Sequence, residues 1–179
     1  MLKYALLGFL NYAPMTGYEL KQRMDRSTQH FWHAKLSQIY RTLKELESAG
    51  EVTSALQAQD ERPDRRVYTL TAAGRSDLLA WLAEPYDELG PKKETLVLKL
   101  FFSAGLDWAA LLDQLRRQRE LHRRQLACYQ QETRENIRAA AQEFPALQAD
   151  AKMWEAARRF GEMYEEVYVR WIEELMAEL

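Results

Sequence analysis

The sequence predicts a mainly α fold in two parts, a winged helix-turn-helix followed by a long-helix, antiparallel coiled-coil-like dimerisation domain. Three observations carry this reading. Leu36, Ile39, Leu43 and Leu46 recur at helical spacing and are followed by Gly50, the stripe and stop signal of a short helix. Two stretches of strand character, 51–59 and 65–70, then flank the charged, Pro-containing run 60–64, as a hairpin requires. Beyond Asp107 two amphipathic patterns follow one another, each of about 30 residues and so roughly 45 Å of helix.

Leu2 to Asn11 reads as a helix apolar almost all round, which calls for burial beneath other elements or in a subunit interface. Pro14 ends it, and Thr16 with Glu19 makes a capping-box pattern opening a second helix that reaches Arg26. Tyr18, Leu20 and Met24 are its expected packing residues, while Lys21, Arg23 and Arg26 make it partly electropositive. Phe31 and Trp32 stand in a linker, where a large aromatic pair is expected to seal the gap between helices. In the next helix Ser37 is the expected cap of an early turn, and Gln38, Arg41, Thr42 and Glu45 occupy the face opposite the apolar stripe. Glu45, Glu47 and Glu51 lie toward its far end. Thr71 caps a further helix to Leu82, weakened by Gly74 and packed through Leu78, Leu79, Trp81 and Leu82.

The acidic, breaker-rich run 84–91 separates a first domain, residues 1–84, from a second, residues 92–179. There a short helix over 95–104 precedes Gly105, and Asp107 caps the first long helix. Its stripe runs Trp108, Leu111, Leu112, Leu115, His122, Leu126, Tyr129, Thr133, Ile137. After Pro145 the last helix repeats the theme with Met153, Ala157, Phe160, Tyr164, Val167, Trp171 and Leu175. Helices this long have too little other protein to cover them, so each is expected to bury the other and a second subunit.

The net charge of -2 argues against a protein that coats nucleic acid without selectivity, yet only a local patch need be positive for selective binding. Residues 1–83 hold 11 Lys and Arg against 9 Asp and Glu, whereas 84–179 hold 14 against 18. The excess at the amino end has the sign that DNA requires. Cys128 is the single cysteine, in keeping with a reducing cytoplasm. The apolar run 4–10 lacks a basic leader, and no 18 apolar residues run together, so neither a signal peptide nor a membrane span is expected. No catalytic constellation, phosphate loop or cysteine pair stands out. His30 and His33, three apart, form no convincing metal pattern, and the acidic positions Glu165, Glu166, Glu173 and Glu174 read as a solvated face. No cofactor and no enzymatic activity are expected.

The motif Ile39-Tyr40-Arg41-x-Leu43-x-x-Leu46-x-x-x-Gly50-x-Val52, followed by Arg62-Pro63-Asp64-Arg65-Arg66-Val67-Tyr68-x-Leu70-Thr71-x-x-Gly74, resembles the signature of PadR-family bacterial transcriptional regulators. Phe31-Trp32 and the long helical tail look most like the virulence-gene activator known in that family from Vibrio. Where many members carry glycine two residues before the wing proline, this chain has Glu61, which implies a less tightly turned wing tip. The resemblance implies a homodimeric regulator, a repressor by promoter occlusion, acting on double-stranded DNA with a palindromic operator. Ser37, Gln38, Tyr40, Arg41 and Lys44 on the recognition helix and Arg62, Arg65 and Arg66 on the wing are the expected DNA contacts. Glutamine and arginine side chains can read base edges, while tyrosine and lysine can meet phosphate. Some members bind phenolic acids or drugs, so a small aromatic effector is a candidate partner. Phe31, Trp32, Trp108, Trp154, Tyr164, Tyr168 and Trp171 are the candidate effector or dimer-interface residues. A winged helix that docks a protein instead of DNA is the alternative, and only the basic wing separates the two.

Overall fold

The apolar run at the amino terminus winds into α1 (Leu2–Leu10), whose buried face is Leu6, Leu7 and Leu10. In the computed structural model, residues 1–28, 31–58, 65–90 and 93–179 are described, and the chain divides into two units, Met1–Leu89 and Gly90–Leu179. The flanks of α1 are used within the first unit. The Tyr4 ring stacks on Trp81 with centroids 4.4 Å apart, and the Lys3 ammonium meets Glu51 at 2.7 Å and Asp77 at 2.9 Å.

After Pro14 the chain makes a two-residue strand, β1 (Met15–Thr16), which the sequence pattern is too short to announce. Thr16 is also the cap of α2 (Gly17–Ser27): its hydroxyl accepts from the Glu19 amide at 3.1 Å, and the Glu19 carboxylate accepts from the Thr16 amide at 2.7 Å. The capping box is therefore complete. Leu20 and Met24 are buried as expected, but Tyr18 is exposed.

α3 (Leu36–Ser48) buries Ile39, Thr42, Leu43 and Leu46. Thr42 is thus corrected from the solvent face to the core face, because three residues after Ile39 and four before Leu46 it falls on their side of the helix. Gly50 takes φ +73°. Its amide donates to Glu47 O and that of Glu51 to Leu46 O, each at 3.0 Å, the double closure that a left-handed residue after a helix allows. β2 (Val52–Gln57) and β3 (Arg65–Leu70) pair antiparallel, with Val52 opposite Leu70 and Gln57 opposite Arg65, and β1 joins the free side of β3. The charged run 60–64, with Glu61, lies outside the described residues. Thr71 caps α4 (Ala72–Ala83) by accepting from the Gly74 amide. Leu78 is buried and Trp81 packs on the core, whereas Leu79 and Leu82 are exposed and do not pack as the sequence suggests.

In the second unit α5 (Thr95–Phe101) leads through a tight turn at Ser103–Gly105 into α6 (Trp108–Cys128), capped by the Asp107 carboxylate at 3.2 Å from the Ala110 amide. The long pattern is not one α-helix. A wider π-helical turn at Tyr129–Thr133 separates α6 from α7 (Arg134–Glu143). A turn at Pro145–Leu147 then opens α8 (Gln148–Glu178). Leu96, Leu111, Leu115 and Ile172 form the core, with Tyr168, Trp171 and Leu175 packed on it.

The side of α8 that this core buries differs from the expected one. Ala151, Arg158, Glu165 and Ile172 face inward, while Met153, Phe160 and Val167 are exposed. Two charged residues occupy the seam because each is satisfied there. Arg158 donates to the Tyr129 carbonyl at 2.9 Å in the π-helical turn and pairs with Glu155 at 2.8 Å and Glu162 at 2.9 Å. Glu165 lies 2.5 Å from His122 Nδ1, so it is not part of a solvated face.

Candidate nucleic-acid interface

The helical repeat of α3 decides which side chains reach outward. With the core taking Ile39, Thr42, Leu43 and Leu46, the residues Ser37, Gln38, Tyr40, Arg41 and Lys44 are left exposed. Ser37 does not cap the helix. Lys35 is the capping position, and Gln38 reaches back so that its Oε1 accepts from the Lys35 amide at 2.9 Å. That bond takes the Gln38 carbonyl oxygen and leaves the amide NH2 as the outward donor. The Arg41 side chain is 73% exposed, and its one ion pair among the described residues is with Glu45 of the same helix at 3.8 Å, so its guanidinium stays open to a partner.

Tyr40 sits between α3 and α2. A Cβ on Gly17 would stand 2.5 Å from its ring, so the absence of a side chain there lets the two helices close. Tyr40 nevertheless remains 45% exposed. Lys21, expected to charge α2, is already engaged by Asp25.

The wing carries Arg65 and Arg66 at the start of β3, and strand alternation sends them to opposite faces. Arg65 donates from Nε to Gln57 Oε1 at 3.0 Å, with Glu19 at 3.6 Å. Arg66 shares the side of Tyr68 and Ser54, donating to Ser54 Oγ at 3.3 Å, with Glu47 at 3.5 Å. Arg62 lies outside the described residues. Sequence reasoning missed Glu19, Glu47, Ser54 and Gln57 as wing partners. The hairpin register would have indicated Gln57 opposite Arg65, but the two glutamates are brought in by packing alone. The Glu19 carboxyl is held below the usual carboxylate range, first by the Thr16 amide and then, against the cost of burial, by the Thr16 hydroxyl and Arg65.

The aromatic candidates fall into different settings. Phe31 and Trp32 are exposed, Phe31 the more so, and neither belongs to the cluster packed on the core of the first unit. Trp108, at the start of α6, is exposed, and Trp154 is half-buried. Tyr168 stacks on His122 at 3.8 Å and meets Trp171 edge-on at 5.3 Å. The Tyr164 hydroxyl donates to Glu94 at 2.6 Å, and burial followed by this carboxylate raises its pKa. Tyr129 is pushed up to about 12, chiefly by burial. These phenols therefore remain protonated donors at neutral pH. An open groove of about 410 Å³ between α5 and α6 is lined by Leu96, Leu98, Leu100, Phe102, Leu106 and Leu111, and by none of the aromatic candidates. Among the described residues no helix is long and apolar enough to cross a membrane.

Residues 6–80 match the family model described as the transcriptional regulator PadR-like family, and residues 92–179 match the virulence activator alpha C-terminal model. A probable transcriptional regulator of Mycobacterium tuberculosis is 41% identical over 90 residues, 50% of this chain, and the match spans about half (48%) of that relative. The negative transcriptional regulator PadR of Bacillus subtilis is 29% identical over 177 residues, covering 99% of this chain and 96% of the relative. The crystal structure of that PadR in complex with operator DNA is similar with a TM-score of 0.84 at 26% identity, covering 99% of this chain and 96% of that one. Its complex with p-coumaric acid gives 0.75 at 26%, covering 99% and 97%. The Vibrio cholerae virulence activator AphA gives 0.70 at 26%, also covering 99% and 97%. Matched along almost its whole length by two adjoining family models, the chain belongs to the PadR-like family of transcriptional regulators.

Proposed function

We propose that this regulator is a cytoplasmic homodimer that represses transcription by binding a palindromic operator. In this reading the unit Met1–Leu89 is the DNA-binding domain and Gly90–Leu179 the dimerisation and effector domain. The observation that carries it is the row of exposed polar side chains on α3, Gln38 and Arg41 foremost, beside a wing whose strand opens with Arg65 and Arg66. An α-helix enters the major groove, where arginine reads guanine and glutamine reads adenine. Ser37, Tyr40 and Lys44 border that face and serve as phosphate contacts, as do the wing arginines, Arg62 included.

Dimerisation is supported by the apolar residues Met153, Phe160, Met163 and Val167 left exposed on α8. A contiguous apolar face of this kind marks an interface, and a two-fold dimer presents two reading helices to two half-sites. A small aromatic acid is the effector class, supported by the p-coumaric acid complex of the Bacillus PadR and by the apolar groove beside α5.

Selection of binding sites from random duplexes at near-physiological salt tests this. An enriched palindrome is expected, together with its release on adding p-coumaric acid. Recovery of no common sequence would refute operator recognition, and a half-site without its inverted copy would refute the dimer. Binding unchanged by hydroxycinnamic acids would remove the effector class.

A further inference from the structure

We propose that Glu19 and Glu47 are specificity-determining counter-ions that withhold the charge of the wing arginines from any duplex on which the wing is not seated in register. The inference rests on the DNA-binding reading and adds to it two residues whose effect on affinity is opposite to that of a contact.

Arg65 and Arg66 are neighbours on one strand and leave it on opposite faces, yet each meets a carboxylate on its own side: Glu19, from the first turn of α2, at 3.6 Å, and Glu47, from the last turns of α3, at 3.5 Å. These separations compensate charge without using the guanidinium donors. Those bonds go to neutral acceptors, Gln57 Oε1 for Arg65 and Ser54 Oγ for Arg66. Each carboxylate is also anchored through its other oxygen. Glu19 Oε2 accepts from the Thr16 amide at 2.7 Å, and Glu47 Oε1 accepts from the Ser54 hydroxyl at 2.5 Å. The Glu19 bond belongs to a capping box, so it is fixed by the start of a helix.

An anchored anion behaves differently from a mobile one. Arg41 and Glu45 also form a pair, but both side chains are long and free on the same helix, 73% and 66% exposed, and either can swing away when a phosphate arrives. Glu19 and Glu47 stay in place. A phosphate approaching Arg65 or Arg66 must come within reach of a fixed negative charge, and it gains only if its oxygens line up with the guanidinium donors. The arginines remain 46% and 50% exposed, so a correctly placed backbone can reach them. A misplaced one meets a patch that is neutral on balance.

The test uses the full-length protein with two duplexes, the one recovered by site selection and a scrambled version of it. E47Q keeps the hydrogen bond to Ser54 while removing the charge, and E19Q keeps the capping position. Each is expected to raise affinity for the scrambled duplex about two- to five-fold at low salt. Each should also steepen log K against log salt by up to about 0.9, as one more phosphate is neutralised. Affinity for the selected duplex should change less, so discrimination falls. Adding R66Q to E47Q, or R65Q to E19Q, should abolish the gain, which a general loss of negative charge would not predict. With two independent pairs, a misfolded variant of one leaves the other decisive. Unchanged or weaker binding of the scrambled duplex by both E19Q and E47Q, while the wild-type protein binds its selected site, overturns the counter-ion role. Failure of the wild-type protein to bind any duplex would instead overturn the DNA-binding reading.

Discussion

Gly74→Ala offers a sharp check on how the first unit is packed, because two physical effects oppose each other there. Gly74 lies in the first turn of α4, where by helix propensity alone alanine would be favoured by up to about 1 kcal/mol. A Cβ at this position, however, would stand 2.1 Å from the carbonyl oxygen of Glu51, on the order of 1 Å inside ordinary contact. That carbonyl is not free to retreat, since it also accepts from the Thr71 amide at 3.1 Å and the Thr71 hydroxyl at 2.9 Å. Relieving the clash means sliding α4 away from the start of β2, at an overpacking cost of about 1–3 kcal/mol, with a further loss of about 1 kcal/mol for each weakened hydrogen bond. The net expectation is a destabilisation of about 1–3 kcal/mol after the propensity gain is subtracted. Gly8 in α1 is the control: nothing lies within 4 Å of a Cβ built there, and Gly8→Ala should stabilise by about 0.5–1 kcal/mol. Amide hydrogen exchange on the full chain reads both, from the protection of α1, β2 and α4. Gly74→Ala protection equal to or above wild type would refute the close approach, and opposite signs for the two variants would support it.

At the proposed interface, Arg41→Ala should cost about 1–3 kcal/mol on the selected operator and relax preference at one position per half-site. Arg65→Ala should weaken the selected duplex and lower its salt slope without relaxing preference at any single position, and should change the scrambled duplex less, since Glu19 withholds the Arg65 charge there; preference relaxed at one position by Arg65→Ala but not by Arg41→Ala would exchange their roles. In the second unit, Arg158→Ala removes a buried guanidinium together with its bonds to the Tyr129 carbonyl, Glu155 and Glu162, so a loss of about 2–4 kcal/mol is expected. Arg158→Met, which keeps the packed stem, should lose less. Equal protection of the π-helical turn in wild type and Arg158→Ala would contradict this. Phe160→Glu places a charge on the open apolar face of α8 and should shift sedimentation at micromolar concentration toward monomer; an unchanged dimer would move the interface elsewhere.

The devices that were legible in the sequence are those whose partners lie within a few residues. Thr16 with Glu19, Thr71 with Gly74 and Asp107 with Ala110 are cap bonds three residues long, and Gly50 closes α3 on its own last turn. Residue type and spacing state such bonds completely, which is why the order of elements and the face of α3 that carries Arg41 could be read directly. The basic wing strand 65–70 was likewise evident from its composition and its flanking charged run. Only the tertiary structure decided which face of α8 turns inward. Hydrophobicity favoured Met153, Phe160 and Val167, but the seam took Arg158 and Glu165. Burying a charge is unfavourable until partners satisfy it, and those partners, the Tyr129 carbonyl and His122, sit on the preceding long helical stretch. Gly74 shows the same division: local propensity marks it as a weakness, and the Glu51 carbonyl across the fold makes it a requirement. The counter-ions of the wing complete the case. Glu19 and Glu47 lie on α2 and α3, and their meeting with Arg65 and Arg66 depends on how two helices pack against a hairpin, which no spacing within the chain encodes.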